Sequence, residues 1–161
     1  MNKGHSGGWN LFGLIIVSLV IAVLAGAAGC GRSSNDTPEQ LTLYSIDGRE
    51  ERRNSVTEQR FQGYPVLGWL DIEDADDRKA IMSAVEQGIA QSNGKPPVCF
   101  SPRYGIQAMR HDKSSAYVIS FQCLQLQVIH DDATIMKTTT AAPEAVLNGY
   151  LTKAGIPLAP E

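Results

Sequence analysis

Three cysteines carry most of the chemistry that the residue types of this chain allow. Cys30 directly follows the small residues Ala27-Ala28-Gly29, the kind of residues that precede an export cleavage point, and its thiol is a candidate for lipidation. Cys99 and Cys123 are left as a pair. Two cysteines alone are too few ligands for a metal site, and the chain has no Cys-x-x-Cys, which excludes a thioredoxin-like redox motif. Outside the cytoplasm disulfides form and persist, so a structural bridge between Cys99 and Cys123 is the leading reading. The alternative is a small thiol/disulfide-dependent enzyme of the envelope working through the same two sulfurs.

The segment Cys99-Phe100-Ser101-Pro102-Arg103-Tyr104-Gly105-Ile106 packs a cysteine, a proline, an arginine and an aromatic into eight residues. It reads as a strand distorted to set the bridge, or as a device that aims Arg103 and Tyr104 at a ligand or partner. His111, beside Asp112, reads as an exposed turn histidine. His130-Asp131-Asp132 is a weak cation candidate, because adjacent residues of a strand point to opposite faces. Ser114, Ser115 and Ser120 lack a Gly-x-Ser-x-Gly elbow. There is no P-loop, dinucleotide fingerprint or His-Glu-x-x-His. No catalytic residue, metal site or cofactor is assigned.

These residues need elements to hold them, and the first element is for export. Lys3 precedes an uncharged apolar run of fifteen residues, Leu11 to Ala25. A membrane-spanning helix needs about 20 such residues, and Gly13, Gly26 and Gly29 weaken this one. Residues 1–29 therefore read as a cleaved signal, which resembles the bacterial lipoprotein type in placing Cys30 directly after the small residues, and 30–40 read as a polar tether. Residues 41–161 then form one domain, since about 100–150 residues is the usual size. The leucine usual three residues before the cysteine is replaced by Ala27. The expected location is the cell envelope, lipid-anchored and facing the periplasm or exterior. An uncleaved anchor or ordinary secretion are the alternatives. The formal charge of −3 becomes one unit more negative when Lys3 is removed. With no basic stripe, nucleic acid is excluded as a partner. The expected partners are the membrane, through the lipid, and an unknown envelope protein or ligand.

Along the domain, the alternation of Leu41 to Ile46 predicts a strand ending at Asp47-Gly48. The charged stretch Arg49 to Arg60 reads as a solvated loop or short exposed helix. Tyr64 to Ile72 is a second strand. Asp74 opens a helix with Asp76 and Asp77 in its first turn and Ile81, Val85 and Ile89 on its apolar face. Val98–Met109 and Ala116–Ile129 read as one long hairpin joined by His111-Asp112-Lys113-Ser114. If Arg110 faces Ser115, Cys99 falls opposite Leu126, and a bulge near Pro102 would move its partner towards Cys123. In the second strand the apolar phase flips between Cys123 and Leu124, which predicts a bulge or a change of packing surface. Asp131-Asp132 makes a turn and Thr134–Thr138 a short strand. Pro143-Glu144 opens a last helix, with Val146, Leu147, Tyr150, Leu151 and Ala154 on its buried face and Gly155 as its stop. The fold class is α+β, an antiparallel sheet with a long hairpin and helices packed on one face.

Gly63-Tyr64-Pro65-Val66-Leu67-Gly68, Asp74-Ala75-Asp76-Asp77-Arg78-Lys79, the Cys99–Ile106 segment, Val118–Gln125 and Ala154-Gly155-Ile156-Pro157-Leu158 together resemble a group of small exported bacterial proteins, lipoproteins among them, of unknown function. The resemblance covers roughly residues 60–160 and implies a shared fold. At Ser120 the group often carries a further cysteine, so no dithiol or metal role is carried over. With no catalytic constellation in view, the expected function is a non-enzymatic, membrane-tethered binding or interaction domain.

Overall fold

The computed structural model of the chain describes residues 37–49, 59–95, 98–131 and 133–160. The signal segment, Cys30, most of the tether and the charged stretch from 50 to 58 lie outside the described residues. The elements are β1 (Gln40–Ile46), β2 (Arg60–Phe61), β3 (Tyr64–Asp71), α1 (Ala75–Ala90), β4 (Tyr104–Arg110), β5 (Lys113–Ser120), β6 (Gln125–His130), β7 (Ala133–Thr138) and α2 (Ala142–Lys153). The seven strands form one sheet in the order β2-β3-β1-β4-β5-β6-β7, with every neighbouring pair antiparallel. The fold is α+β. Because β3 and β4 both pair antiparallel to β1, they run parallel to each other, and the connection through α1 passes across the position of β1.

Strands β4 to β7 form a meander whose turns differ from the sequence-based expectation. His111 and Asp112 both have positive φ (47° and 62°), so they make a two-residue turn of type I′. Arg110 therefore faces Lys113 and not Ser115. Continued without interruption, this register brings Cys99 opposite Leu124, one residue from Cys123. The β4–β5 ladder carries no irregularity, and Pro102 lies before β4 begins; the sheet's register shift falls in β1, between Ser45 and Ile46. The expected strand Ala116–Ile129 is in fact two strands. They are separated by the turn Phe121–Leu124, where Leu124 has φ 49° and its N–H donates to the carbonyl of Phe121. Cross-strand partners share a face, and here Ile119 pairs with Leu126 and Tyr117 with Val128. An odd residue facing an even one explains the apolar phase flip: it marks a hairpin, not a bulge.

Two hydrophobic clusters follow from the alternation. One joins Leu41, Leu43, Tyr104, Ile106, Ile119, Phe121, Leu126 and Val128 with Ile81, Met82 and Val85 of α1 and Leu147 and Leu151 of α2. Each of its fully buried aliphatic side chains contributes roughly 1.5–3 kcal/mol relative to exposure. The other holds Ile46, Phe61, Tyr64, Ala116 and Val118, with Tyr44, Val66, Phe100 and Ile129 packed against it. Here Phe61 stacks on Tyr44 at 4.4 Å and lies over the backbone at Gly105, where a Cβ would come within 2.5 Å of the ring. Only glycine fits at that point.

The helix ends follow from side-chain chemistry. Asp74 is the N-cap of α1, its carboxylate accepting from the N–H groups of Asp76 (2.8 Å) and Asp77 (3.0 Å). Such a cap contributes about 1 kcal/mol. Met82 joins the buried face of α1, and Ile89 is only partly buried. In α2, Pro143, Leu147 and Leu151 are buried; Val146 is intermediate, and Ala154 is exposed because it already caps the helix. Gly155, at φ 71°, lets its N–H reach the carbonyl of Thr152 and that of Ile156 reach Leu151, closing the last turn in a Schellman pattern.

Candidate functional site

Two of the three sulfurs come together. Cys99, ahead of β4, and Cys123, in the β5–β6 turn, form a disulfide with α-carbons 5.7 Å apart across a sequence separation of 24. The surrounding bonds lock the same end of the sheet. Gln125 donates from Nε2 to the carbonyl of Cys99 (3.1 Å), and the Ser101 N–H donates to Ser120 Oγ (3.3 Å).

Arg103 and Tyr104, the expected binding residues, point into the fold. The Arg103 guanidinium donates from Nε to the carbonyl of Ala159 (2.9 Å), with Nη2 on the same oxygen, and Nη1 lies 3.7 Å from Glu144 Oε1. Its side chain is 14% exposed. The Tyr104 hydroxyl sits 3.0 Å from Glu144 Oε1 and 2.7 Å from Asn148 Oδ1, donating its single proton to one oxygen at a time. Burial raises the Tyr104 hydroxyl well above the ordinary tyrosine range. The hydrogen bond and charge of Glu144 add to this, while Arg103 and Asn148 oppose it. The pair joins β4 to α2 and to the C-terminal segment.

At the opposite end of the same strands lies a hollow of about 330 Å³, lined by Ala108, Arg110, His111, Lys113, Ser115, Tyr117 and His130. Its origin is geometric. Lys113, Ser115 and Tyr117 alternate along β5 and share a face, with Arg110 opposite Lys113, Ala108 opposite Ser115 on one side and His130 opposite Ser115 on the other. Small Ala108 and Ser115 leave a depression between longer neighbours. Ser115 Oγ and His130 Nδ1 are 2.6 Å apart. A nucleophilic serine–histidine pair needs an acid on the other ring nitrogen to orient it. Among the described residues no carboxylate bonds to that nitrogen, so the contact positions the imidazole. Tyr117 is held protonated by burial; the Arg110 charge works against this and Glu86 for it. Arg110 Nη2 is 3.9 Å from Glu86 Oε1 on α1.

The sequence did not reveal this hollow, because its residues come from three strands. The two-residue turn at 111–112 was the available signal, since it fixes the register that sets Arg110 against Lys113, and the β5–β6 pairing then brings His130 to Ser115.

A third region, at the corner between β3 and α1, is acidic. Asp71, Glu73, Asp74, Asp77 and Tyr150 border a groove of about 460 Å³. Three of its carboxylates are engaged: Thr42 donates to Asp71 (2.6 Å), the Tyr150 hydroxyl to Asp77 (2.8 Å), and Asp74 caps α1. Tyr150 is pushed up to about 12, first by burial and then by Asp77 and Asp74. Among the described residues no group of three or more His, Cys, Asp or Glu is placed to hold a metal ion. Nor is any helix among them long and apolar enough to cross a membrane. Comparison with known proteins finds no matching family model, no matching curated protein and no matching solved structure.

Proposed function

We propose that the chain is exported, cleaved before Cys30 and lipidated there, and that it holds residues 41–161 at the cell envelope as a non-enzymatic binding or interaction domain. It would belong with the small exported bacterial proteins that it resembles. The observation that carries the reading is Ala27-Ala28-Gly29-Cys30 at the end of an uncharged apolar run, with only Gly31 to Glu39 between the cysteine and β1. Nine residues reach at most about 30 Å, so the lipid would keep the domain beside the membrane. Several acyl chains on one cysteine anchor stably where one does not.

Two further points support the reading. A disulfide suits an oxidising compartment, and it sits in a braced strand end beside groups engaged within the fold. The proposal also takes the β4–β5 hairpin and its bridge as the rigid spine, with both helices on one face of the sheet. That leaves the opposite strand ends available for contact.

Cys30→Ser tests the anchor. The variant is expected to lose acyl labelling, and to be released from membranes or retained as the uncleaved chain. Unchanged mass and unchanged detergent partitioning would reject the proposal. A disulfide that exchanges readily with mild reductant would favour instead the thiol-dependent enzyme working through Cys99 and Cys123.

A further inference from the structure

We propose that the hollow between Arg110, Lys113, Ser115 and His130 binds the phosphate group of an anionic membrane lipid, so that this end of the sheet lies on the headgroups. The inference rests on the tether reading for its orientation and on the hollow's own chemistry for its ligand.

In a chain of formal charge −3, one depression gathers an arginine, a lysine, two of the three histidines, a serine hydroxyl and a tyrosine, and none of the described residues that line it is acidic. Arg110 and Lys113 are cross-strand partners with Ala108 and Ser115 beside them, so both cations border the same small space. A guanidinium offers planar paired donors suited to phosphate oxygens, and an ammonium offers a point charge. When Ser115 donates to His130 Nδ1, the ring keeps its proton on Nε2, a further donor. The nearby acids are Glu39, which enters β1 beside Arg110 one residue beyond the Gln40–Met109 pair, Glu86, 3.9 Å from Arg110, and Asp112 and Asp131 in the turns. The two turn residues are exposed at the strand ends.

The Glu39 N–H donates to the Met109 carbonyl (2.9 Å), and Gln40 pairs with Met109. The chain therefore enters the domain one residue from Arg110. Pro38 is already buried in the domain, its carbonyl accepting from Arg78 Nε (2.9 Å), so the tether is the six residues Gly31 to Asp36. A tether that short, attached at the start of β1, would keep the Arg110–Lys113 turn nearer the bilayer than the disulfide end. Basic residues near an anionic leaflet are each worth about fivefold in binding, within a Debye length of the surface.

The test uses the full-length product purified from membranes and reconstituted into vesicles of phosphatidylcholine, with or without phosphatidylglycerol. Lys113 is acetylated and His130 carbethoxylated under pulse conditions, with Lys137 on β7 as the reference. In phosphatidylglycerol vesicles both sites are expected to react about fivefold more slowly than in neutral ones, with Lys137 unchanged and the protection lost in high salt. Arg110→Ala with Lys113→Ala should melt at the wild-type temperature and abolish the protection of His130. Equal rates in the two vesicles overturn the proposal. Equal protection by inorganic phosphate in neutral vesicles also overturns it, by assigning the hollow to a soluble phosphate compound. Acylation at Cys30 is scored by mass on the same sample. Protection without an acyl group sinks the tether alone, and an acyl group without protection sinks the lipid site alone.

Discussion

Along strands β4, β5 and β6, roughly 20 Å separates two ends that use the same kinds of residue for opposite purposes. At one, Arg103 and Tyr104 are turned inward, onto Ala159, Glu144 and Asn148, and a disulfide closes the strand ends. At the other, Arg110, Lys113 and His130 border an open hollow, and Arg110 makes a long contact with Glu86. An arginine beside a tyrosine was the conspicuous pair in the sequence. The difference teaches that its neighbours decide its role: α2 and the C-terminal segment cover Arg103 and Tyr104, and the described structure places nothing over Lys113.

The largest expected effect is at the closed end. Replacing both Cys99 and Cys123 by serine removes a cross-link over about two dozen residues, which chain-entropy arguments put at about 3 kcal/mol. That is a substantial share of the 5–15 kcal/mol typical of a domain. Denaturant melts of the oxidised wild type and the double variant measure it, and equal midpoints would remove the disulfide from the account. Arg103→Ala comes next, at about 2 kcal/mol, because it takes charge-assisted bonds from Ala159 and leaves Glu144 without its cation. Tyr104→Phe should cost about 1 kcal/mol.

Tyr104 also sharpens the comparison through pH. Its folded value is raised, as is that of Tyr150, at about 12. Below pH ~10 the unfolded chain keeps these hydroxyls neutral and the stabilisation is complete. As pH climbs past that point, the unfolded chain ionises first, so stability falls until the folded values are reached. The melting temperature should therefore drop between pH 9 and 11, and less steeply in Tyr104→Phe. An identical slope in the variant would contradict the burial described for this hydroxyl. The smallest effect belongs to the open end: Lys113→Ala and His130→Gln should each change stability by less than about 0.5 kcal/mol.

Much of this fold was legible in the sequence, for identifiable reasons. The Asp74 cap, the Gly155 stop and the alternation of Leu41 to Ile46 act through neighbours along the chain, and each appears where it was read. The errors came from turns. His111-Asp112 carries no glycine, so its type I′ conformation was hidden and the register slipped by two. The turn 121–124 was taken for strand, because Phe121, Cys123 and Leu124 are residues that strands favour. The brief β2 strand was missed, since two residues make no pattern. The hollow was illegible for the same cause: without the register, Ser115 and His130 are fifteen residues apart.

The contrast between the ends is tested most directly by asking which one touches lipid in the native membrane. A photoreactive amino acid is placed in the full chain either at Asp112, on the hairpin tip, or at Gln122, on the exposed turn beside the disulfide. After irradiation, mass spectrometry scores lipid adducts at each position. Abundant adducts from position 112 and few from 122 are the predicted result. Equal adducts, or an excess at 122, would contradict an orientation in which the tether and the basic hollow meet the membrane together.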